Sequence, residues 1–213
     1  LLFIIGTLIL ISLIASVAAR QRKRKRVAVK LSGTPIHPVL DENSLQIPKG
    51  IYFDKTHTWA FLEANGIVKV GIDDFLQHVT GKITRIKMKA PGKKVKKGDQ
   101  ILSIVRNGKQ LNLYSPISGT ILEQNELLEA DSAVLNYSPY SAGWIYKIEP
   151  SNWIRESQLL FMSDKQTEFI KKEFSRLKDF LMAALRSGTE NHAQLILQDG
   201  GEISDGVLSE MGP

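Results

Sequence analysis

The sequence predicts a mainly β domain, a small sandwich or barrel, between an N-terminal transmembrane helix and a C-terminal amphipathic helical extension. Three observations predict this fold class: an uncharged apolar run at the start, short alternating segments separated by turn dipeptides in the middle, and a three- and four-residue apolar periodicity near the end. They divide the chain into a transmembrane helix at 1–19, a basic stretch and linker at 20–50, the β domain at 51–156, and a helical extension and tail at 157–213.

The first segment, Leu1–Ala19, contains no charged residue. A helix of that length rises roughly 28 Å, close to the thickness of the hydrocarbon core of a bilayer. The positive charge follows this run, whereas a secretory signal peptide carries its charge in front. By the positive-inside rule we expect the N-terminus outside and everything after Arg20 in the cytoplasm. The sequence therefore predicts a single-pass protein of the inner (plasma) membrane.

The basic stretch that follows accounts for the formal net charge of +6. Seven basic residues lie between Arg20 and Lys30, and removing them from the 28 of the whole chain leaves 21 against 22 acidic residues. Beside a membrane span such a cluster holds anionic headgroups. We therefore expect residues 1–26 to contact lipid, and we expect no nucleic-acid partner. The predicted membrane collar consists of Arg20, Arg22, Lys23, Arg24, Lys25 and Arg26.

The composition excludes several kinds of chemistry. The chain contains no cysteine, which removes disulfides, thiolate metal sites and thiol catalysis. Its four histidines, His37, His57, His78 and His192, lack the spacing of metal ligands. The sequence shows no nucleophile–base pair, no phosphate-binding loop and no GxSxG motif. We therefore predict a protein that is not an enzyme, with no metal site and no small-molecule substrate of its own.

Short strands are predicted from Ile51 onward, after a proline- and glycine-containing linker. The words TWAFLEANGIVKVGI predict two strands around an Asn65-Gly66 turn. DDFLQHVTG predicts a short helix with two aspartates at its N-terminal end, where their negative charges interact favourably with the helix dipole. KITRIKMK alternates apolar with basic residues, so Ile83, Ile86 and Met88 are expected to face the core.

A further hairpin is predicted in SIVRNGKQLNLYSPISG, residues 103–119. Asn107-Gly108, at its tip, is the dipeptide that best closes a two-residue type I′ turn. Lys109 comes directly after the tip. A lysine on an exposed hairpin is how swinging-arm carriers present lipoate or biotin. The position of Lys109 relative to the tip therefore decides whether the hairpin is a carrier site.

The extension opens with Ser163, followed three residues later by Gln166, which is a capping-box pattern. An amphipathic helix of roughly 22 residues, ended by Gly188, is predicted from there, and its apolar face is expected to pack on its own domain or on a partner. The tail is expected to add a strand, a glycine-rich turn and a short helix. The predicted apolar stripe consists of Phe169, Ile170, Phe174, Leu177, Phe180, Leu181 and Leu185.

Five words in the middle of the chain resemble the H protein of the glycine cleavage system, a relative of lipoyl domains. They occur in order from Ile51 to Glu156, and they are YFDKTHTW, GIVKVGIDDFLQ, PGKKVKKGDQI, LYSPISGTILEQNELL and LNYSPYSAGWIYKIEPSN. The resemblance implies a lipoyl-like barrel-sandwich hybrid, two facing sheets with a lipoyl lysine on an exposed hairpin. It also implies that His57 and Trp59 help to close the N-terminal strand.

The resemblance further implies where the lipoyl lysine should be, namely five residues before the Leu of LYSP, with a glutamate three residues before that lysine. Counted back from Leu113, the lysine position is Gly108 and the glutamate position is Val105, so Lys109 lies one residue late. Neighbouring residues on a strand point to opposite faces, so this shift matters. We therefore expect no cofactor; lipoate on Lys109 is the alternative, and it requires a one-residue slip of the hairpin.

A basic run lies between residues 82 and 97, which contain no acidic residue. H proteins of this family tend to be acidic, so the run departs from the resemblance. It is either a solvated face or a docking surface for an acidic subunit or the inner leaflet. The candidate docking surface consists of Lys82, Arg85, Lys87, Lys89, Lys93, Lys94, Lys96 and Lys97.

Together these features predict a non-catalytic, membrane-anchored H-protein-like domain without a lipoyl arm. It is expected to serve as an accessory or docking subunit of a larger inner-membrane complex, with a redox or respiratory complex as the host suggested by analogy of fold. The alternative is a carrier lipoylated or biotinylated on Lys109 that serves a membrane-bound oxidoreductase or decarboxylase, or a glycine-cleavage-type carrier. An efflux-type periplasmic adaptor needs the opposite topology and a long helical hairpin that this sequence lacks.

Overall fold

The structure is a computed structural model, and it describes residues 39–40, 44–106, 109–186, 197–198 and 202–207. All of them belong to one compact unit, Val39–Pro213. Within these ranges no helix combines the length and the apolar character needed to cross a bilayer. The predicted span and the membrane collar lie outside the described residues and stay predictions.

Within the described residues, twelve strands, all paired antiparallel, form three sheets. The strands are β1 (Val39–Leu40), β2 (Tyr52–Phe53), β3 (Thr58–Leu62), β4 (Val68–Ile72), β5 (Ile86–Met88), β6 (Lys94–Val95), β7 (Gln100–Arg106), β8 (Lys109–Tyr114), β9 (Gly119–Gln124), β10 (Tyr146–Pro150), β11 (Leu197–Gln198) and β12 (Glu202–Ser204). The helices are α1 (Asp74–Thr80), α2 (Leu127–Ala130), α3 (Val134–Tyr137), α4 (Trp153–Ser157) and α5 (Ser163–Arg186).

The two larger sheets share the main core. One has the strand order β2-β3-β4-β10-β9-β6, and the other has the order β5-β7-β8. Alternating apolar positions of both sheets are buried against each other, for example Val70 and Ile121 from the first and Leu102 and Leu113 from the second. The predicted mainly β sandwich is therefore confirmed, and its core lies between these two sheets.

The turn and the helix cap that the sequence predicts in this domain are present in the structure. Strands β3 and β4 pair around the Asn65-Gly66 turn, where Gly66 has a φ of 84° and the side chain of Asn65 accepts a hydrogen bond from the amide of Ile67. A positive φ of this kind favours glycine because a Cβ is disfavoured there. Asp73 caps α1 by accepting from the amide of Leu76 at 2.9 Å, as the paired aspartates predicted.

A second core, separate from the main one, lies where α5 packs on α1. It contains Leu40 from β1, Phe75 and Val79 from α1, Ile170, Phe174 and Leu181 from α5, and Ile203 and Val207 from the tail. The sequence predicts that the apolar face of the extension packs on its own domain or on a partner, and in the structure it packs on its own domain. Strand β12 pairs with both β1 and β11, so the linker before the domain and the tail after it meet in one small sheet.

Two details of the predicted α5 are wrong. The ring of Phe180 is 54% exposed, because it lies beside the buried stripe rather than in it. Gln166 does not close a capping box; its amide lies near Asp73, at 3.4 Å, because that carboxylate faces the first turn of α5. The side chain of Leu185 and the predicted helix end at Gly188 lie outside the described residues.

Candidate functional site

The hairpin of β7 and β8 is the candidate carrier position. Its strands pair without a break from Leu102 opposite Leu113 to Arg106 opposite Lys109, and one register irregularity lies farther away, near Gln100. Residues 107 and 108, between the two paired ends, lie outside the described residues. The hairpin strands themselves are therefore confirmed, and Lys109 is the first residue of β8.

The inward face of the hairpin fixes this register. Leu113 is 2% exposed, and Leu111 packs partly buried against the main core. A one-residue slip that moved Lys109 toward the tip would turn every side chain of β8 to the opposite face of the sheet. Both leucines would then leave the core, so the packing opposes the slip that a lipoylated Lys109 requires.

The other face of the hairpin is polar and uncharged. The side-chain oxygen of Asn112 accepts hydrogen bonds from Gln110 at 2.7 Å, from Ser103 at 3.0 Å and from Gln100 at 3.1 Å. These four side chains satisfy one another across the two strands. None of them is ionisable near neutral pH, so this face offers no general acid or base.

The basic run lies along two sheet edges. β5 is the outer strand of the three-stranded sheet, and β6 is the outer strand of the six-stranded sheet. Ile83 is buried, and Ile86 and Met88 pack against the main core, which confirms the predicted alternation. Seven of the eight cations of the run, all except Lys97, are exposed and make no ion pair among the described residues. We call this surface the basic edge; it consists of Lys82, Arg85, Lys87, Lys89, Lys93, Lys94 and Lys96.

Lys97 is not part of this surface. Its ammonium forms an ion pair with Asp54, which is 6% exposed, and donates to the backbone oxygen of Pro116 at 2.9 Å. Asp54 also accepts from the hydroxyl of Thr56 at 2.8 Å. The prediction of Lys97 as a docking residue is therefore corrected, because its charge joins the N-terminal strand region to the loop before β9.

His57 links the β domain to the extension. It has a positive φ of 60°, and its Nδ1 lies 2.9 Å from the buried carboxylate of Asp73. Its ring stacks on Phe75, with 5.0 Å between centroids, and lies 5.6 Å from the ring of Phe169 on α5. Burial alone would lower the pKa of His57, but the charge and the hydrogen bond of Asp73 outweigh burial and raise that pKa above its ordinary value.

His78 makes a second such link. Its Nδ1 lies 3.1 Å from Asp205 of the tail, and its Nε2 lies 3.6 Å from Asp74 at the start of α1. The amide of Gly206 donates to the backbone oxygen of His78 at 2.7 Å. Burial would lower the pKa of His78, but the hydrogen bond to Asp205 and the charge of Asp74 raise it above its ordinary value.

Two open grooves flank these elements. One, of about 390 Å³, lies between β5 and α2 and is lined in part by Arg85, Gln124 and Glu129. The other, of about 730 Å³, lies beside Tyr52 and the start of α5. Neither groove contains a set of convergent catalytic groups. Among the residues that the structure describes, no three His, Asp or Glu side chains come close enough together to hold a metal ion.

Several residues that organise the fold were missed by sequence reasoning. Asp54, Gln166 and Asp205 each form a contact with a partner far away in the chain, up to 127 residues for Asp205 and His78. Contacts between residues so far apart in the chain leave no local sequence pattern from which they could be predicted. The candidate lipoyl position Gly108 and the membrane collar lie outside the described residues.

The comparisons with known proteins match the β domain and the first part of α5. The family model for the glycine cleavage H-protein matches residues 51–173, more than half of the 213-residue chain. The chain belongs to this family.

Relatives in the family come from distant organisms. A probable glycine cleavage system H protein of Pyrococcus abyssi is 34% identical over 133 residues, which is 62% of this chain and 98% of the relative. Glycine cleavage system H protein 2 of Aquifex aeolicus is 36% identical over 132 residues, 61% of this chain and 81% of the relative. The crystal structure of an H protein from Mycobacterium marinum is 26% identical, with a TM-score of 0.47, and covers 49% of this chain and 87% of that one.

Family membership confirms the recognised resemblance and the lipoyl-type, mainly β fold. An H protein is a carrier and has no catalysis of its own, which is consistent with the prediction of a non-enzyme. The lipoyl group that the family implies needs a lysine as its point of attachment. Counted back from Leu113, the family position is Gly108, which has no side chain that can form the amide. The residues present therefore do not fit the group at that position.

Proposed function

We propose that this chain is a membrane-anchored H-type module that carries no lipoyl group and serves as a docking subunit of a larger inner-membrane assembly. Its folded domain faces the cytoplasm and its N-terminus lies outside. By analogy of fold, the proposed host is a redox or respiratory complex. The observation that carries the proposal is the pairing of Arg106 with Lys109.

This pairing supports an unmodified hairpin in two ways. It has no extra residue between Leu113 and Lys109 that would shift the count along the chain, and that count puts Gly108 at the family lysine and Val105, an apolar residue, at the family glutamate. A ligase that recognises a lysine at the tip and an acid on the preceding strand would meet neither group here. The fold of a carrier is therefore kept while its attachment point is missing.

A carrier that uses Lys109 is the second candidate. The family of the relatives favours it, because all of those named here are H proteins. It requires the register slip that withdraws Leu111 and Leu113 from the main core. Such a slip costs the burial of two leucine side chains, about 1.5–3 kcal/mol for each one that is fully buried.

The first test is a gain of function. The parent chain and the variants Gly108→Lys, Gly108→Lys with Val105→Glu, and Lys109→Arg are incubated with a lipoate ligase, lipoate and ATP, and intact masses are measured. We expect no change for the parent and for Lys109→Arg, and one added lipoyl group for both Gly108→Lys variants. A lipoyl group on Lys109 of the parent would refute the proposal, and an unmodified Gly108→Lys double variant would refute the explanation by register.

The second test uses the protein from its native membrane. After gentle detergent extraction, the intact mass and the co-purifying chains are determined from one sample. An unmodified mass with partners in fixed stoichiometry supports a docking subunit. An unmodified mass without any stoichiometric partner contradicts it, and a mass raised by one lipoyl or biotinyl group makes the chain an anchored carrier.

A further inference from the structure

The basic edge carries seven exposed cations, and its segment contains no acid. None of the seven makes an ion pair with another described residue; elsewhere in the domain Lys69, Lys97 and Lys147 are paired, whereas the exposed Lys55 is not. We propose that the basic edge is a second membrane contact, which binds anionic lipid headgroups and so orients the domain on the bilayer. The inference rests on the proposed membrane anchor and adds to it a surface and a ligand.

The arrangement of β5 and β6 presents these charges outward. On β5, Ile86 and Met88 pack inward, so the alternation of the strand turns Lys87 to solvent. The chain then runs through Lys89 and Lys93 to β6, where Val95 is buried and Lys94 is exposed. The cations therefore follow one continuous segment that joins the open edges of both sheets.

The composition of this surface favours lipid over a protein face. Six of the seven cations are lysines, and the segment has no large exposed apolar side chain. The centres of protein interfaces are depleted of lysine and enriched in aromatic residues and arginine, because charges there must lose water. Lysine is a compact, strongly hydrated charge. It attracts the headgroups of an anionic leaflet without being desolvated, which is how juxtamembrane basic segments act.

Protection of the sheet edges is a simpler role for edge lysines. Exposed strand edges carry lysines that discourage pairing with other chains. However, β5 has three residues and β6 has two, and strands that short already make poor templates for pairing. Seven cations without an acidic neighbour in the segment are more than the protection of two short strands requires. The excess positive charge can therefore bind a ligand of opposite charge.

The test compares two bilayers. The full chain is placed in nanodiscs of phosphatidylcholine alone or mixed with phosphatidylglycerol, and the rate of acetylation of each lysine is measured by mass spectrometry. We expect lysines of the basic edge to react several-fold more slowly in discs with phosphatidylglycerol, and to recover at high salt because salt screens exposed charges. Lys171, Lys172 and Lys178, exposed on α5, are the internal controls and should react equally in both discs.

A charge variant sharpens the test. In Lys87→Gln, Lys89→Gln, Lys94→Gln, the protection of Lys82, Lys93 and Lys96 should be lost, whereas the matched variant Lys171→Gln, Lys172→Gln, Lys178→Gln should keep it. Each lysine near an anionic surface strengthens binding about fivefold, so removing three has a large effect.

The outcomes separate this inference from the proposed function. Equal reactivity of the basic edge in both discs overturns the lipid assignment, and protection only in the native complex points instead to an acidic protein face. A chain that fails to enter either disc contradicts the anchor. In that case, salt-reversible flotation with phosphatidylglycerol vesicles that the three-lysine variant loses would still support the lipid surface, and absence of flotation would overturn it.

Discussion

The main core lies between two sheets and consists of aliphatic side chains with Tyr146, whereas the second core, beneath α5, is bordered by two histidines and three aspartates. The hydroxyl of Tyr146 donates to the backbone oxygen of Ile101 at 2.9 Å, and its burial raises the pKa of Tyr146 to about 12, so it stays neutral. The other buried side chains described for the main core are aliphatic and carry no ionisable group. Around the second core, the charges of neighbouring aspartates raise the pKa values of His57 and His78.

This difference lies within the family match, which runs over residues 51–173 and so includes α1 and the first turns of α5 as well as the strands of the main core. The main core is built by the strands that carry the H-protein words. The second core joins the linker strand β1, the helix α1 and the tail, so it ties both ends of the described chain to the domain. The packing of α5 on α1 is therefore bordered by ionisable side chains, whereas the buried apolar side chains between the two sheets are not ionisable apart from Tyr146.

The largest expected effect is that of Phe174→Ala, which removes a ring buried in the second core and 5.4 Å from that of Phe75. A buried phenylalanine replaced by alanine costs about 3–5 kcal/mol. We expect hydrogen exchange to show lost protection in α5 and β12 while β4 and β10 stay protected. Phe180→Ala on the exposed side of the same helix is the control, with an expected change within about 0.5 kcal/mol. Loss of protection in both regions at once would show that the two cores unfold as one.

A smaller effect is expected for Lys97→Met, which leaves the carboxylate of Asp54 buried without its cation. Breaking a fully buried pair costs about 3–5 kcal/mol, and because Lys97 is partly exposed we expect about 2 kcal/mol. Lys96→Met, at an exposed neighbour, should change little. The measurement is chemical denaturation followed by tryptophan fluorescence. If Lys97→Met and Asp54→Asn with Lys97→Met are equally unstable, the ion pair is not what joins the N-terminal strand region to the domain.

The pH dependence is expected in the second core alone. His57 and His78 have raised pKa values in the folded state, so the folded protein binds their protons more tightly than the unfolded chain does. The stability they contribute is fully present below the unfolded value of about 6.5 and is lost as pH rises through the raised values. Exchange protection of α5 should therefore fall from about pH 6.5 upward. His57→Gln and His78→Gln should each flatten this profile; protection that rises with pH would contradict the assignment.

The parts of the fold that could be predicted are those with a local cause. The Asn65-Gly66 turn, the cap at Asp73 and the inward alternation around Ile86 follow from neighbouring residues alone. The second core could be predicted only as an apolar stripe, because its partners, β1 and β12, are strands of two and three residues that exist only by pairing with each other. Gln166 illustrates what a local pattern cannot predict. Its spacing from Ser163 fits a capping box, but its side-chain amide donates to the carboxylate of Asp73, 93 residues away in the chain.

The candidate site also has features that the sequence predicts and features that only the tertiary structure shows. The missing lysine at Gly108 follows from counting along the sequence, whereas the reason why the hairpin resists a slip is the burial of Leu111 and Leu113 in the tertiary core. Lys97 and Lys96 are neighbours of the same type, and only packing shows that one is held by Asp54 and the other is exposed. The sequence therefore shows where the basic residues lie, but it does not show which of them form ion pairs within the fold and which are free to bind a ligand.

The smallest expected effect on stability is that of Lys87→Gln with Lys94→Gln. Both side chains are exposed on edge strands and make no ion pair with a described residue, so the free energy of unfolding should change by less than about 0.5 kcal/mol. Thermal unfolding of the variant in detergent checks this, with Lys171→Gln, Lys178→Gln as the matched pair on α5. An unchanged midpoint means that these charges contribute to neither core, which leaves binding as the property they can affect. A lowered midpoint would instead make the basic edge a further stabilising region, and the contrast between the two cores would have to include it.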